Sequence, residues 1–545
     1  MNRHKPLAVG FLLFFLGSAS GADQDIRLNS LGFIPKFEKK ATIVSVCSDF
    51  TVKNVQNGKT VFSGKVSGPF HQDDVGQDVW IADFSSFRKK GEYYLDVPGV
   101  GRSMSFPIGE EVYDFAYYTT VRSFYLWRCG TAVEGVHEGC RFAHDACHME
   151  DGFQDYVGPD STRRDGTGGW HDAGDYNKYV VNAGITVGNL FLAWDHFRLR
   201  LEKRSLGLPE TAPGYPDFLK EIKWETDWLL KMALDSGKVS HKLSALGFCG
   251  FIMPEAELEK RYFTDWSSTA TADFCAVMAM AARYFKPFDP SYARSCLDAA
   301  GKSYAFLKIH PENKRPNQRA FRTGFYGSAD PDDRLWAAAE LWETTGDGQY
   351  LSDFETRAEA CRRKMFRNWD WGEVSNLGMI TYFFSKRKGK NTELIDSIRR
   401  DILATADSIV QIADQDVYGR PLEGRYWWGC NGAIARQAVV LQMANRISPN
   451  PEYVNTALDI VGHLFGRNVY GRSFVTGLGH MPPMKPHDRR SGPDGIDPPW
   501  PGYLVGGGLT ATNWTDVEAD FRTNEIAINW QAALVYALAG FVEDR

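Results

Sequence analysis

Two aspartates three positions apart, Asp172 and Asp175, lie in the segment Gly168-Gly169-Trp170-His171-Asp172-Ala173-Gly174-Asp175-Tyr176-Asn177-Lys178-Tyr179. Only Ala173 and Gly174 separate them, which leaves both side chains uncrowded on a tight turn. A pair of nearby carboxylates can hold a water between them, and one can take its proton. An Asp/Asn-rich loop that caps the following helix uses the same residue types, and the segment alone does not choose between the two readings. A further acid, Glu525, opens the apolar run Ile526-Ala527-Ile528 and is expected at a helix N-terminus. The helix dipole there favours the ionised form, whereas a general acid must keep its proton near neutral pH. Desolvation and the field of two aspartates would have to overcome the dipole.

Softer ligands form a second group. Cys129, Cys147, His148 and His171 provide two thiols and two imidazoles, a set that suits tetrahedral zinc. The long spacings are not diagnostic. A Cys129–Cys147 disulfide, or a ligand pair made of Cys140 and His144 at i, i+4, competes with that reading. In Ser328-Ala329-Asp330-Pro331-Asp332-Asp333, hard oxygen atoms gather on a loop before a helix. They suit calcium, and simple capping of the helix by Asp332 is the alternative.

The elements that must position these groups fall into two regions. From Asp25 to about Ile108 the pattern is strand-like. Asn57-Gly58 is a strong hairpin turn, and Tyr93, Leu95 and Val97 alternate onto one face, as do Met104, Phe106 and Ile108. Short strands at this spacing predict a small β-sandwich. After Glu110 the period is helical. Phe218, Ile222, Leu229 and Met232 fall on one stripe opened by Pro216-Asp217, and Gly346 closes a helix through Leu335, Trp336, Ala339 and Trp342. The last helix, from about Ile526 to Val542, is apolar almost all round and must be buried on every side. All-round buried helices predict two concentric helical layers. Long Gly/Pro-rich connections such as 481–508 would then build a site at one end.

Composition narrows the partners. With 62 Lys+Arg against 68 Asp+Glu the net charge is −6, which gives no footprint for a phosphate backbone and argues against nucleic acid. Aromatic residues reach 14 %, and the nine cysteines are odd in number and scattered, unlike a disulfide scaffold. Cys275 reads as a buried small hydrophobe. Arg3, His4 and Lys5, the apolar run Leu7–Leu16 and the small residues 18–22 have the three-part form of a secretory signal peptide. The expectation is a secreted, monomeric protein that is not held in a membrane after cleavage. Sugars present flat C–H faces, so exposed aromatic rings would serve as platforms; Tyr426, Trp427, Trp428, Trp500 and Tyr503 are candidates, with core packing the alternative for each.

The aspartate segment resembles glycoside hydrolase family 9, as do Asn524-Glu525-Ile526-Ala527-Ile528-Asn529-Trp530 and Ser473-Phe474-Val475-Thr476-Gly477-Leu478-Gly479 followed by Pro486-His487-Asp488-Arg489. The resemblance runs from about 111 to 545, and residues 25–108 resemble the immunoglobulin-like domain of one family branch. After the signal peptide (1–22) read above, it implies a multidomain chain: an immunoglobulin-like β-sandwich (23–110) and an all-α (α/α)6 barrel (111–545). It also implies inverting hydrolysis of internal β-1,4 bonds in cellulose or related β-glucans. Asp175 would be general base, Asp172 would help hold the water, and Glu525 would be general acid, with base and acid about 6.5–9.5 Å apart. His487 and Arg489 match a sugar-binding loop. Asp488 stands where a second histidine is usual, so an acid there could reshape hydroxyl contacts. Tyr426 and Trp428 belong to a Tyr-x-Trp-Gly-x-Asn cleft motif. The branch carries zinc on residues matching Cys129, Cys147, His148 and His171, and calcium on residues matching Asp330, Asp333 and Glu373. Alternatives on the same fold are action on xyloglucan, on mixed-linkage glucan or, from an end, on chitosan oligosaccharides; a non-catalytic glycan-binding protein is a different class.

Overall fold

The computed structural model describes residues 25–154 and 162–544, so the signal peptide expected at 1–22 lies outside the described residues. The N-terminal strands are β1 (Ile26–Arg27), β2 (Lys40–Ile43), β3 (Asp49–Asn54), β4 (Thr60–Gln72), β5 (Gln77–Asp83), β6 (Gly91–Val97), β7 (Gly101–Arg102) and β8 (Phe106–Ile108). The long strand β4 pairs with β3 through its first half and with β5 through its second, and the register shifts between Ser67 and Phe70. That irregularity lets one strand leave one layer and join the other. Between the layers Phe33, Phe84 and Phe106 pack with ring centroids 5.2–5.5 Å apart. Tyr93, Leu95 and Val97 are all buried, as the alternation requires. Asn57-Gly58 turns the chain between β3 and β4, with Gly58 at φ 66°.

The remainder is helical. Its first helices are α1 (Asp114–Leu126), α2 (Val180–Leu201), α3 (Asp217–Met232), α4 (Ser268–Phe285), α5 (Pro290–Ile309) and α6 (Pro331–Thr345). Then come α7 (Gly348–Ala360), α8 (Ser375–Phe384), α9 (Thr392–Asp414), α10 (Cys430–Ile447), α11 (Pro451–Leu464), the single turn α12 (Phe521–Asn524) and α13 (Ile528–Ala539). The even-numbered α2 to α10 together with α13 form the inner layer, and the odd-numbered α1 to α11 surround it. Sequence pattern separates the two layers. In α9 the buried residues Leu394, Ile398, Ile402, Thr405, Ala406, Ile409 and Ala413 make one stripe, whereas every residue of α13 is buried. Short strands decorate one end of the barrel: β9 (Val133–His137), β10 (Cys140–His144), β11 (Lys178–Tyr179), β12 (Lys242–Ser244) and β13 (Tyr262–Phe263).

The β-domain is latched to a barrel loop by polar side chains. Arg420, 1 % exposed, donates to Asp74 at 3.0 Å, and the Tyr426 hydroxyl donates to the same carboxylate at 2.5 Å. Asp74 sits on the β4–β5 turn, and Gln72 accepts from the Val417 amide at 3.1 Å. Tyr426 is thus a domain latch rather than the sugar platform that its motif implies, because its hydroxyl is held by Asp74 while its ring packs on the core. Trp427 and Trp428 follow it directly into the cleft. Removing Asp74 leaves a buried guanidinium with one carboxylate, Asp416, in place of two. Asp74→Ala is expected to cost about 1–3 kcal/mol of stability and to lower the unfolding temperature measured by calorimetry. An unchanged transition would show that the latch contributes nothing.

Candidate active site

Three backbone segments far apart in sequence cross at one end of the barrel. Residues 172–177 form a turn closed by the Asp172 amide donating to the Asn177 carbonyl at 3.1 Å. The Asp172 carbonyl accepts from the Ile528 amide at 2.9 Å, and Ala173 bridges Ala527. On the other side the His487 amide donates to the Asn524 carbonyl at 2.8 Å, and the Arg489 amide to the Gly174 carbonyl at 3.2 Å. Gly174 is required by this crossing, since a Cβ there would lie 2.1 Å from the His487 carbonyl oxygen.

Glu525 occupies an extended stretch (φ −72°, ψ 155°) between α12 and α13, three residues before α13 begins. The sequence places it at the N-terminus of that helix. The extended strand pairing with His487 holds it outside the first turn, so the opposition from the dipole falls away. Burial pushes the Glu525 carboxyl well above the ordinary glutamate range, and the charges of Asp175 and Asp172 add to the shift. Arg489 and a hydrogen bond from Trp428 oppose it. A carboxylic acid so placed keeps its proton.

Asp172 is buried, with the Asn182 amide donating to one oxygen and the Tyr326 hydroxyl to the other, both at 2.7 Å. Burial and the Asp175 charge raise its pKa well above the usual aspartate value. Asp175 accepts at 2.6 Å from the Asn177 side chain and at 3.1 Å from the Tyr179 hydroxyl. Asp172, Asp175 and Glu525 all line one cleft of about 710 Å³, walled by Trp369, Trp371 and Trp428 among others. Trp428 is 48 % exposed there, whereas Trp500 and Tyr503 are fully buried and belong to the core. Tyr326 carries no sequence signal beyond its place between Phe325 and Gly327, yet its φ of 41° aims the phenol at Asp172.

His487 sits between the rings of Phe251 and Phe521, at 5.3 and 6.0 Å. Arg489 donates to the Cys249 carbonyl at 3.0 Å and lies over Phe248. Asp488 turns away from the cleft. It is 1 % exposed and grips Arg490 through two contacts of 2.9 and 2.7 Å, so its identity acts through that buried pair and not on a sugar hydroxyl.

Beside the aspartate turn, one donor atom each from Cys129, Cys147, His148 and His171 falls within 4.8 Å of the others; among the described residues this is the only such group of three or more Cys, His, Asp or Glu. All nine cysteines are free thiols, so Cys129 and Cys147 are not joined. The His171 amide donates to the Trp127 carbonyl, and the Cys129 amide to the Gly169 carbonyl, which ties the cluster to the aspartate turn. His148 Nε2 stands 2.9 Å from Glu257. Cys140 and His144 lie on strand β10 outside the cluster.

The residues expected to hold calcium do not share one point. Asp330 is paired with Arg334 at 2.7 Å, and Glu373 accepts from the Ser375 hydroxyl at 2.5 Å. Asp333 is fully buried against Asp273 of α4, close enough for one carboxyl to donate its proton to the other, and burial together with this contact holds the proton on Asp333. Asp332 does not cap α6, whose N-cap is Asp330; its side chain accepts from the Val374 amide.

Residues 113–538 match the family described as glycosyl hydrolase family 9, and residues 21–102 match the cellulase N-terminal immunoglobulin-like domain. The chain is 55 % identical to Endoglucanase D of Acetivibrio thermocellus over 524 residues, which is 95 % of this chain and 84 % of that protein. A metagenome-derived family 9 endoglucanase superposes with a TM-score of 0.89 at 33 % identity, covering 95 % of this chain and 98 % of its own. A zinc-binding triple mutant of the family 9 endoglucanase J30 gives 0.87 at 33 % identity, covering 94 % and 100 %. With the carboxylate cleft at the end of its helical barrel, this chain belongs to glycosyl hydrolase family 9.

Proposed function

We propose that the protein is an inverting endo-β-1,4-glucanase acting on internal bonds of cellulose or related β-glucans. One observation carries this: two aspartates and a proton-retaining glutamate face a single aromatic-walled cleft. Glu525 gives its proton to the glycosidic oxygen as the bond to the anomeric carbon breaks. Asp175 takes a proton from the water that attacks that carbon from the opposite face, and the configuration inverts. Asp172, held by Asn182 and Tyr326, orients the water. His487 and Arg489 bind hydroxyls of the ring being cleaved, and Trp428 offers a platform to the sugar. The 55 % identity to Endoglucanase D supports internal cutting, and the signal-like segment at residues 3–22 supports export.

Two thiols and two imidazoles converging within 4.8 Å fit zinc by donor chemistry, and the zinc-binding relative supports that metal. Bound by Cys129, Cys147, His148 and His171, zinc would be a closed structural joint that braces the turn carrying Asp172. For calcium, the expected ligands Asp330, Asp333 and Glu373 do not converge on one point and Asp330 is neutralised by Arg334, so the geometry does not favour this cation.

Glu525→Gln is expected to bind cello-oligosaccharide while turnover falls about 10²–10⁴-fold; wild-type rates in the purified variant would remove Glu525 from its role. Because the folded protein raises the pKa of Glu525, its burial costs stability increasingly as pH rises above the ordinary glutamate value. Glu525→Gln should therefore unfold at a higher temperature than wild type near pH 7, and the advantage should vanish at pH values below that of a free glutamate. Product anomers followed by NMR should be inverted. Metal analysis should find about one tightly held zinc per chain, and a Cys129–Cys147 disulfide seen by mass spectrometry would contradict it.

A further inference from the structure

Lys242 is a fully buried lysine on β12, for which the mechanism above has no use. Its backbone pairs directly with Tyr179 of β11. Its ammonium makes no carboxylate contact within 4 Å among the described ion pairs. Instead it donates to the Gly324 carbonyl at 2.7 Å and the Thr323 hydroxyl at 3.1 Å. The rings of Phe321, Phe325 and Tyr179 surround it at 4.8–5.6 Å. Burying a lone ammonium is costly, so a site that keeps one needs a reason.

The neighbours supply it. The Gly324 amide donates to the Tyr179 hydroxyl at 3.0 Å, and that hydroxyl lies 3.1 Å from Asp175. A phenol has one proton. With its lone pair taken by the amide, Tyr179 must direct that proton at the carboxylate. Two residues on, Tyr326 gives its own proton to Asp172. Gly324 is wedged between these phenols, since a Cβ there would stand 3.0 Å from the Tyr326 ring and 3.1 Å from the Tyr179 ring.

We propose that Lys242 is a positioning residue for hydrolysis: its ammonium clamps residues 323–324 so that Tyr179 and Tyr326 aim their protons at Asp175 and Asp172. This rests on the catalytic roles given above. Burial lowers the ammonium to about 7, and the charge of Asp175 opposes that shift, so base and lysine share one electrostatic environment.

The test uses the full chain and steady-state hydrolysis of cello-oligosaccharides by wild type, Lys242→Met, Lys242→Arg, Tyr179→Phe and the Lys242→Met/Tyr179→Phe double variant. Lys242→Met, matched to the ring cage, should lose about 10–100-fold in kcat with KM changed less than about threefold. Lys242→Arg, which keeps charge and donors, should recover most of the loss. The double variant should be no worse than about twofold below the poorer single variant, because both act through one hydrogen bond to Asp175. Should Lys242→Met fail to fold, Lys242→Leu likewise removes every donor and must show the same kcat loss and the same non-additivity. Wild-type kcat in either neutral variant, a loss confined to KM, or multiplicative losses in the double variant would overturn the proposal. Asp175→Asn with undiminished turnover would instead overturn the catalytic assignment on which it rests.

Discussion

The active end of this protein depends on a backbone crossing. The turn at 172–177, the strand-like stretch at 525–527 and the loop at 487–489 are joined by main-chain hydrogen bonds, and they pack so closely that Gly174 has no room for a methyl group. Main-chain bonds in a dry environment fix position more tightly than long side chains do. Three carboxyl groups are therefore carried on a rigid frame, and their mutual repulsion cannot be relieved by moving apart. Burial, with the charges of Asp175 and Asp172 added, keeps the proton on Glu525, which is the state a general acid needs.

The buttresses around this frame have different chemistry. Inner helix α13 is buried on every face and packs against its neighbours α2 and α10, so it supplies much of the cohesion. On one side the cluster of Cys129, Cys147, His148 and His171 adjoins the turn, and on another the β-domain holds the loop that leads to Trp427 and Trp428. Buried charged groups recur in these supports: Arg490 with Asp488, Arg420 with Asp74 and Asp416. Each pair offsets the cost of burying its guanidinium, and that of Arg420 with Asp74 also joins the β-domain to the barrel.

Aromatic residues divide into two populations that composition alone cannot separate. Trp500 and Tyr503 are buried in the core beside Arg490, while Trp428 and Phe248 face the cleft. Both populations use the same large ring. The difference lies in burial: Trp500 is fully enclosed beneath Arg490, whereas Trp428 and Phe248 are about half exposed.

Much was legible in the residues themselves. Alternation in β6, the turn at Asn57-Gly58, the stripe of α3 and the all-round apolarity of α13 are local patterns, and local patterns set local structure. The Asp172–Asp175 pair, Glu525 and the thiol–imidazole set were visible as chemistry because few other residue types can do that work. Tertiary structure alone decided the rest. It moved Glu525 out of the helix it precedes, turned Asp488 inward, gave Tyr426 to the β-domain, took Asp330 for Arg334, and brought Tyr326 and Tyr179 to the aspartates. The physical reason is common to all of these. Where a polar side chain points depends on which partner the packed fold leaves within reach, near along the chain for Asp330–Arg334 and Asp488–Arg490 and distant for Tyr326–Asp172 and Tyr426–Asp74, and spacing alone does not choose among them.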